Sequence, residues 1–232
     1  MKKTSIASET PHPFYIRLGS IPGEQWYLQD IEDADDTLLK RIKLPETIWN
    51  QDLLVDKINF FNKQAWYHFK YDNFEGWLPK KNVKKTFRRL AIPPLKQQTQ
   101  TDLDNQVAAL QMVLQSAGAN LSDDEIKNQI GDWNQNDDSL ADLSHIIIDA
   151  THSIKDLRRA NFKQLENQIM RRRPVILKVA GVNNLKTSLI VLIGFNKKIF
   201  YYNDPWTGHL ESISTTHLKK HWQNRRVEAI SY

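Results

Sequence analysis

Two hydrophobic periods share this chain, and they meet at Ile92-Pro93-Pro94-Leu95. Before that seam the apolar residues fall in short runs: Phe14 to Leu18, Trp26 to Leu28, Leu38 to Ile42, Ile48 to Val55 and Trp66 to Tyr71. Gly and Asx residues stand between several of them, which is the pattern of strands and turns. After the seam Val107, Leu110, Val113, Leu114 and Ala117 recur at helical spacing. One element cannot serve both periods, and a Pro-Pro pair keeps a helix from running across the join. The sequence therefore predicts two domains, residues 1–90 and 91–232.

The first domain reads as a small all-β barrel. Phe14, Tyr15, Trp26, Tyr27, Trp49, Phe60, Phe61, Trp66, Tyr67, Phe69, Tyr71, Phe74 and Trp77 are concentrated there, and large rings let a short chain bury much area. The second domain opens with a helix from Gln106, with Asp104 and Asn105 as caps and Gly118 at its stop. A second helix starts at the capping box Ser122 to Glu125, a third covers Leu140 to Ala150, and a fourth runs from Asn161 to Met170, before Pro174. Strands follow at Val175 to Val179, Leu189 to Phe195, Ile199 to Tyr202, His209 to Ile213 and Val227 to Ser231. Helices first and strands second is the order of an α+β domain with a largely antiparallel sheet.

Composition narrows the functions. The chain has no cysteine, which excludes disulfides, thiolate metal sites and any thiol nucleophile. No apolar run reaches the roughly 18 residues that span a bilayer. Met1-Lys2-Lys3 has the charge of a secretory leader, but Ser5, Ser8, Glu9 and Pro11 interrupt any apolar stretch. The expected location is extracellular or cell-wall associated if a leader has been removed, and otherwise cytoplasmic. Net charge is +5, with both signs spread over both halves, so no nucleic-acid partner is expected; such a partner needs a basic face. The clearest cluster runs from Lys80 through Lys81, Lys84 and Lys85 to Arg88 and Arg89. His217 and His221 are four apart, but no third ligand accompanies them and no metal is expected. The glycines form no phosphate loop, and no cofactor is expected.

Four stretches carry a resemblance: Pro93-Pro94-Leu95-Lys96-Gln97, Asp104 to Leu110, Arg173-Pro174-Val175-Ile176-Leu177, and Ser188 to Phe195 followed by Tyr202-Asn203-Asp204-Pro205-Trp206. In order and spacing they resemble the papain-like fold of the bacteriocin-leader-processing cysteine peptidases. In that family a thiol at the start of the central helix is activated by the helix dipole and a histidine cation. A third group orients the histidine. The resemblance puts Asn105 at the position of the cysteine and Ser188 at that of the histidine. It puts Asp204 at the orienting acid and Gln97, eight positions before Asn105, at the glutamine that helps bind an oxyanion. An amide has no ionisable nucleophile, and a serine hydroxyl cannot exchange a proton near neutral pH as imidazole does. The resemblance thus implies a degenerate peptidase scaffold with its supporting positions kept. On the residues alone Asn105 is also a helix cap, and Asp204 a turn former before proline.

In the first domain Ala65-Trp66-Tyr67-His68-Phe69-Lys70-Tyr71 and Glu75 to Val83 resemble the closing hairpin of bacterial Src-homology-3-like modules of the GW type. That resemblance implies attachment to an anionic cell-wall polymer or peptidoglycan, with Trp66, Trp77, Lys80, Lys81, Lys84 and Lys85 as ligand-binding candidates. For most of the aromatics core packing is the competing reading, and for Lys80 to Arg89 a solvated linker. The expected function is that of a non-catalytic envelope protein that holds a wall polymer and can take a peptide in its degenerate cleft. The alternatives are a hydrolase or acyl transferase using a non-cysteine nucleophile, such as a serine close to Asp204 and a C-terminal histidine, and a cytoplasmic regulatory or immunity-type binding protein.

Overall fold

The computed structural model describes residues 8–19, 26–29, 31, 40–61, 63–131, 140–182, 187–223 and 228–232. Two compact units divide the chain, Met1–Ala91 and Ile92–Tyr232. Among the described residues no helix is long and apolar enough to cross a membrane.

The first unit contains strands β1 (Ser8–Ile16), β2 (Trp26–Leu28), β3 (Arg41–Lys43), β4 (Leu53–Phe61), β5 (Gln64–Tyr71), β6 (Phe74–Pro79) and β7 (Arg88–Leu90). They lie in the order β3-β2-β6-β5-β4-β1-β7, every neighbour antiparallel. Alternation places the core: Phe14 and Ile16 are buried on either side of half-buried Tyr15, and Phe14 faces Val55 across the β1–β4 ladder. Gly76 is required by a close approach, since a Cβ there would lie 2.4 Å from the Tyr27 ring and 2.6 Å from the Leu28 carbonyl. The run read as a strand from Ile48 to Val55 is instead a 3-10 turn, Glu46–Ile48, followed by β4. Pro45 starts that turn, and Asn50, at φ 62°, bends the chain before Leu53. In the run read as Leu38 to Ile42, residues 38 and 39 lie outside the described residues, and β3 begins at Arg41.

The second unit opens with α1 (Asp102–Ser116), α2 (Asp123–Gly131), a 3-10 turn at Leu140–Leu143, α3 (Ser144–Thr151), β8 (Lys155–Asp156) and α4 (Phe162–Met170). Then come β9 (Val175–Val179), β10 (Ser188–Phe195), β11 (Ile199–Asp204), β12 (His209–Ser214), α5 (Thr215–Gln223) and β13 (Ala229–Ser231). The sheet order is β12-β11-β10-β9-β13-β8, again antiparallel. Every residue of β10 is buried, and each Leu or Ile so enclosed contributes about 1.5–3 kcal/mol; α1 packs across this strand. Gly118, at φ 82°, closes α1 as expected, and the expected capping box of Ser122 with Glu125 forms; a second box, Asn161 with Gln164, opens α4. The start of α1 is a correction. Its cap is Thr101, whose Oγ1 accepts from Asp104 N at 3.2 Å, so Asp104 and Asn105 lie inside the first turn.

Candidate functional site

Asn105 projects from the first turn of α1 to the start of β10. Its Oδ1 accepts from Leu189 N at 2.7 Å, and its Nδ2 donates to Leu189 O at 3.4 Å and to Gln97 Oε1 at 3.1 Å. A backbone N–H can only donate, so the Leu189 bond fixes which end of the Asn105 amide is oxygen. The orientation then propagates: Gln97 must offer its oxygen to Asn105, and its Nε2 turns to Thr99 O at 2.7 Å and Thr101 O at 3.5 Å. Gln97 and Asn105 are each 5% exposed, and their amides satisfy one another and the main chain.

Ser188, the buried first residue of β10, donates its hydroxyl to Leu189 O at 3.4 Å. The side chains of Asn105 and Ser188 therefore meet at one carbonyl. Asp204 is fully buried at the end of β11, where its Oδ1 accepts from Trp206 N at 2.9 Å in a turn. The next residue, Pro205, accepts from Gln97 N through its carbonyl at 2.8 Å. The four positions are thus drawn together by bonds among α1, the start of β10, the Gln97 segment and the turn after β11. Chemically this is two amides, a hydroxyl and a buried carboxylate, with neither a thiol nor an imidazole at the positions that would do the chemistry. The Nε2 donor that the resemblance assigned to an oxyanion is spent on two main-chain carbonyls. Nearby Tyr202 has its hydroxyl pushed up to about 12, first by burial and then by the carboxylates of Asp204 and Glu211, so it stays a neutral phenol.

Sequence reasoning missed the group beside Asn105. Asp104 Oδ1 pairs with Lys127 Nζ at 2.9 Å, while Oδ2 accepts from Thr99 N at 2.8 Å and from the Thr99 hydroxyl. Gln98 Nε2 and Gln111 Nε2 both donate to Asp123, tying the same loop and α1 to α2. A carboxylate in the first turn of a helix was the available signal. The Lys127 and Thr99 bonds hold the Asp104 carboxyl down to about 2, well below its ordinary 3.8. A depressed folded-state pKa contributes stability above the unfolded value and loses it as pH falls toward the folded value. Asp104→Asn is therefore expected to be less stable than the parent at pH 6, with the gap closing between about pH 4 and pH 2. Denaturant midpoints measured across that range check this, and a constant gap would contradict it.

The Peptidase_C39 like family matches residues 89–230, well over half of the chain. The chain belongs to this family. A crystal structure of a protein described as a C39-like peptidase from Bacillus anthracis aligns with a TM-score of 0.53 at 16% identity, over 61% of this chain and 94% of that one. At that identity the likeness shows the fold alone, a papain-like C39 fold in the second unit preceded by a β-rich region. A protein described as an autolysin from Listeria monocytogenes aligns over 97% of this chain and 62% of that one at 9% identity. Its TM-score of 0.28 carries no argument. No curated protein matches the chain.

Within this C39-like chain the ligand-binding candidates of the first unit separate by burial. Trp66 and Trp77 are 7% and 2% exposed, packed with Leu28 and Ile31, so they are core residues and offer no ring face to a ligand. That corrects their assignment, and Trp26 and Phe61 are the rings that flank them half-buried. Lys80, Lys81 and Lys85 are exposed and Lys84 is half-buried. The two arginines of the same run are engaged within the unit, on opposite faces of β7. Arg88 lies 4.0 Å over the Phe14 ring, and Arg89 lies 4.0 Å over Tyr15. Asp52 bridges Arg17 Nε at 2.6 Å and Arg89 Nη2 at 2.7 Å. In the second unit His221 bonds through Nδ1 to Ala180 O at 2.6 Å, and His217 is exposed. Among the described residues no group of three or more His, Asp or Glu is placed to hold a metal.

Proposed function

We propose that this chain is a non-catalytic pseudo-peptidase of the bacterial cell envelope, whose first unit is a Src-homology-3-like module holding an anionic wall polymer or peptidoglycan. The observation that carries the non-catalytic part is the amide of Asn105, fully engaged by Leu189 and Gln97 in a chain without cysteine. A serine nucleophile is disfavoured at Ser188, whose buried hydroxyl donates to a carbonyl. The second ligand of this reading is an extended peptide at the degenerate site, where exposed Leu103 and half-buried Trp206 border the Asn105 and Asp204 positions in sequence.

The wall-binding part is supported by the exposed lysines that follow β6. Opposite charges attract a polyanion in a salt-dependent way. Retention of the whole chain on isolated Gram-positive cell walls is expected to fall at least about tenfold when Lys80, Lys81, Lys84 and Lys85 are all replaced by Gln, and to weaken with added salt. Unchanged retention in the quadruple variant would remove the anchoring role. Labelling of the parent by a fluorophosphonate probe, abolished by one Ser→Ala change, would replace this reading with a serine hydrolase.

A further inference from the structure

A second basic surface lies in the second unit, far in sequence from the Lys80 cluster. Lys197 and Lys198 sit at the turn between β10 and β11, both exposed. Asn196 Oδ1 shapes that turn by accepting from Lys198 N at 2.9 Å and Ile199 N at 3.1 Å. The first residue of α5 is fixed to the same turn, Thr215 N donating to Lys198 O at 2.9 Å. Along α5, Leu218 and Trp222 point inward, at 0% and 1% exposure, one helical turn apart. The opposite face therefore carries Thr216, His217, Lys219 and Lys220, all exposed. Helix and turn present four lysines from one junction.

Among the described residues none of the four lysines is in an ion pair. Between Asn196 and Gln223 the acidic residues are Asp204, which is fully buried, and Glu211, which is half-buried beside Tyr202. The exposed ring on this face is the imidazole of His217, and the larger rings nearby are enclosed, half-buried Phe162 being packed against Phe200 and Trp222. Phe200 and Trp222 are buried, and half-buried Tyr201 has its hydroxyl bonded to Asn196 Nδ2 at 3.3 Å. Proteins that hold single-stranded nucleic acid pair a basic groove with exposed rings on which bases stack. Four lysines beside a single exposed imidazole, with the larger neighbouring rings enclosed, fit a phosphate chain that has no bases better than one with a row of bases to stack.

We propose that Lys197, Lys198, Lys219 and Lys220 form a binding surface for a base-free phosphodiester polymer. The choice of polymer rests on the envelope reading above, whereas the surface itself is independent of the first unit. The experiment titrates the full chain with short poly(glycerol phosphate) and, separately, with a single-stranded oligonucleotide between about 50 and 200 mM salt. It uses the parent, the Lys80/Lys81/Lys84/Lys85→Gln protein, and that protein with Lys197, Lys198, Lys219 and Lys220 also changed to Gln. The added changes are expected to weaken poly(glycerol phosphate) binding at least about tenfold. They should also lower the slope of log affinity against log salt by about 2–3, near 0.7 for each phosphate lost. An unchanged affinity and slope overturns the surface while leaving the first unit's role intact. Tighter binding of the oligonucleotide, or no binding of either polymer by the parent, overturns the choice of ligand. All four side chains are exposed, so matching melting curves show that the fold is intact.

Discussion

Asn105→Leu is expected to destabilise the second unit by roughly 2–4 kcal/mol, because it removes three hydrogen bonds while leaving their partners enclosed. Leucine keeps the branching and heavy-atom count of asparagine, so no cavity is left behind. The cost comes from Leu189 N–H and Gln97 Oε1, which lose their partner where water does not readily replace it. Asn105→Asp is expected to be at least as harmful, since it keeps the acceptor for Leu189 N–H but turns a carboxylate oxygen toward the acceptors Leu189 O and Gln97 Oε1. The denaturation midpoint of the second unit and the exchange rate of the Leu189 amide read this out. A loss under about 0.5 kcal/mol, the range of ordinary surface changes, would mean that the network carries no weight.

The second large effect runs the other way, from structure back to chemistry. In an Asn105→Cys, Ser188→His double variant the thiol is expected to react with iodoacetamide at pH 6.5 at least about tenfold faster than in Asn105→Cys alone. The reason is positional. Asn105 and Ser188 already direct their side chains to the same carbonyl of Leu189, so an imidazole at 188 would stand beside a sulfur at 105. The first turn of α1 would add its dipole. Equal rates in the single and double variants would show that the two positions do not approach closely enough to share a proton. The double variant also lacks the Asn105 amide, so its stability is expected to drop much as in Asn105→Leu.

What the sequence revealed and what it hid follow from the range of the interactions. The strands at Trp66 to Tyr71 and Val175 to Val179 and the capping box at Ser122 are local, and they appear where the residues put them, whereas β1 begins at Ser8, ahead of the run from Phe14 to Leu18. The start of α1 was displaced because Asp104 and Asn105 have the composition of caps; only the bond from Asp104 N to Thr101 Oγ1 distinguishes them. The basic run after Lys80 looked uniform, yet its arginines turn to Phe14, Tyr15 and Asp52, more than thirty positions away in the chain. Asn105 and Leu189 are 84 positions apart. Family resemblance placed Asn105 and Ser188 at one site, but no spacing rule could say that the asparagine amide would hold the strand.

The Asp52 bridge has a consequence for how the first unit comes apart. Its two oxygens hold Arg17, just beyond β1, and Arg89, in β7, and so link the two ends of that part of the chain through one carboxylate. Detaching the last strand would strip Asp52 of one cation and also lift Arg89 from Tyr15 and Arg88 from Phe14. Fraying from that end is therefore penalised at its first step.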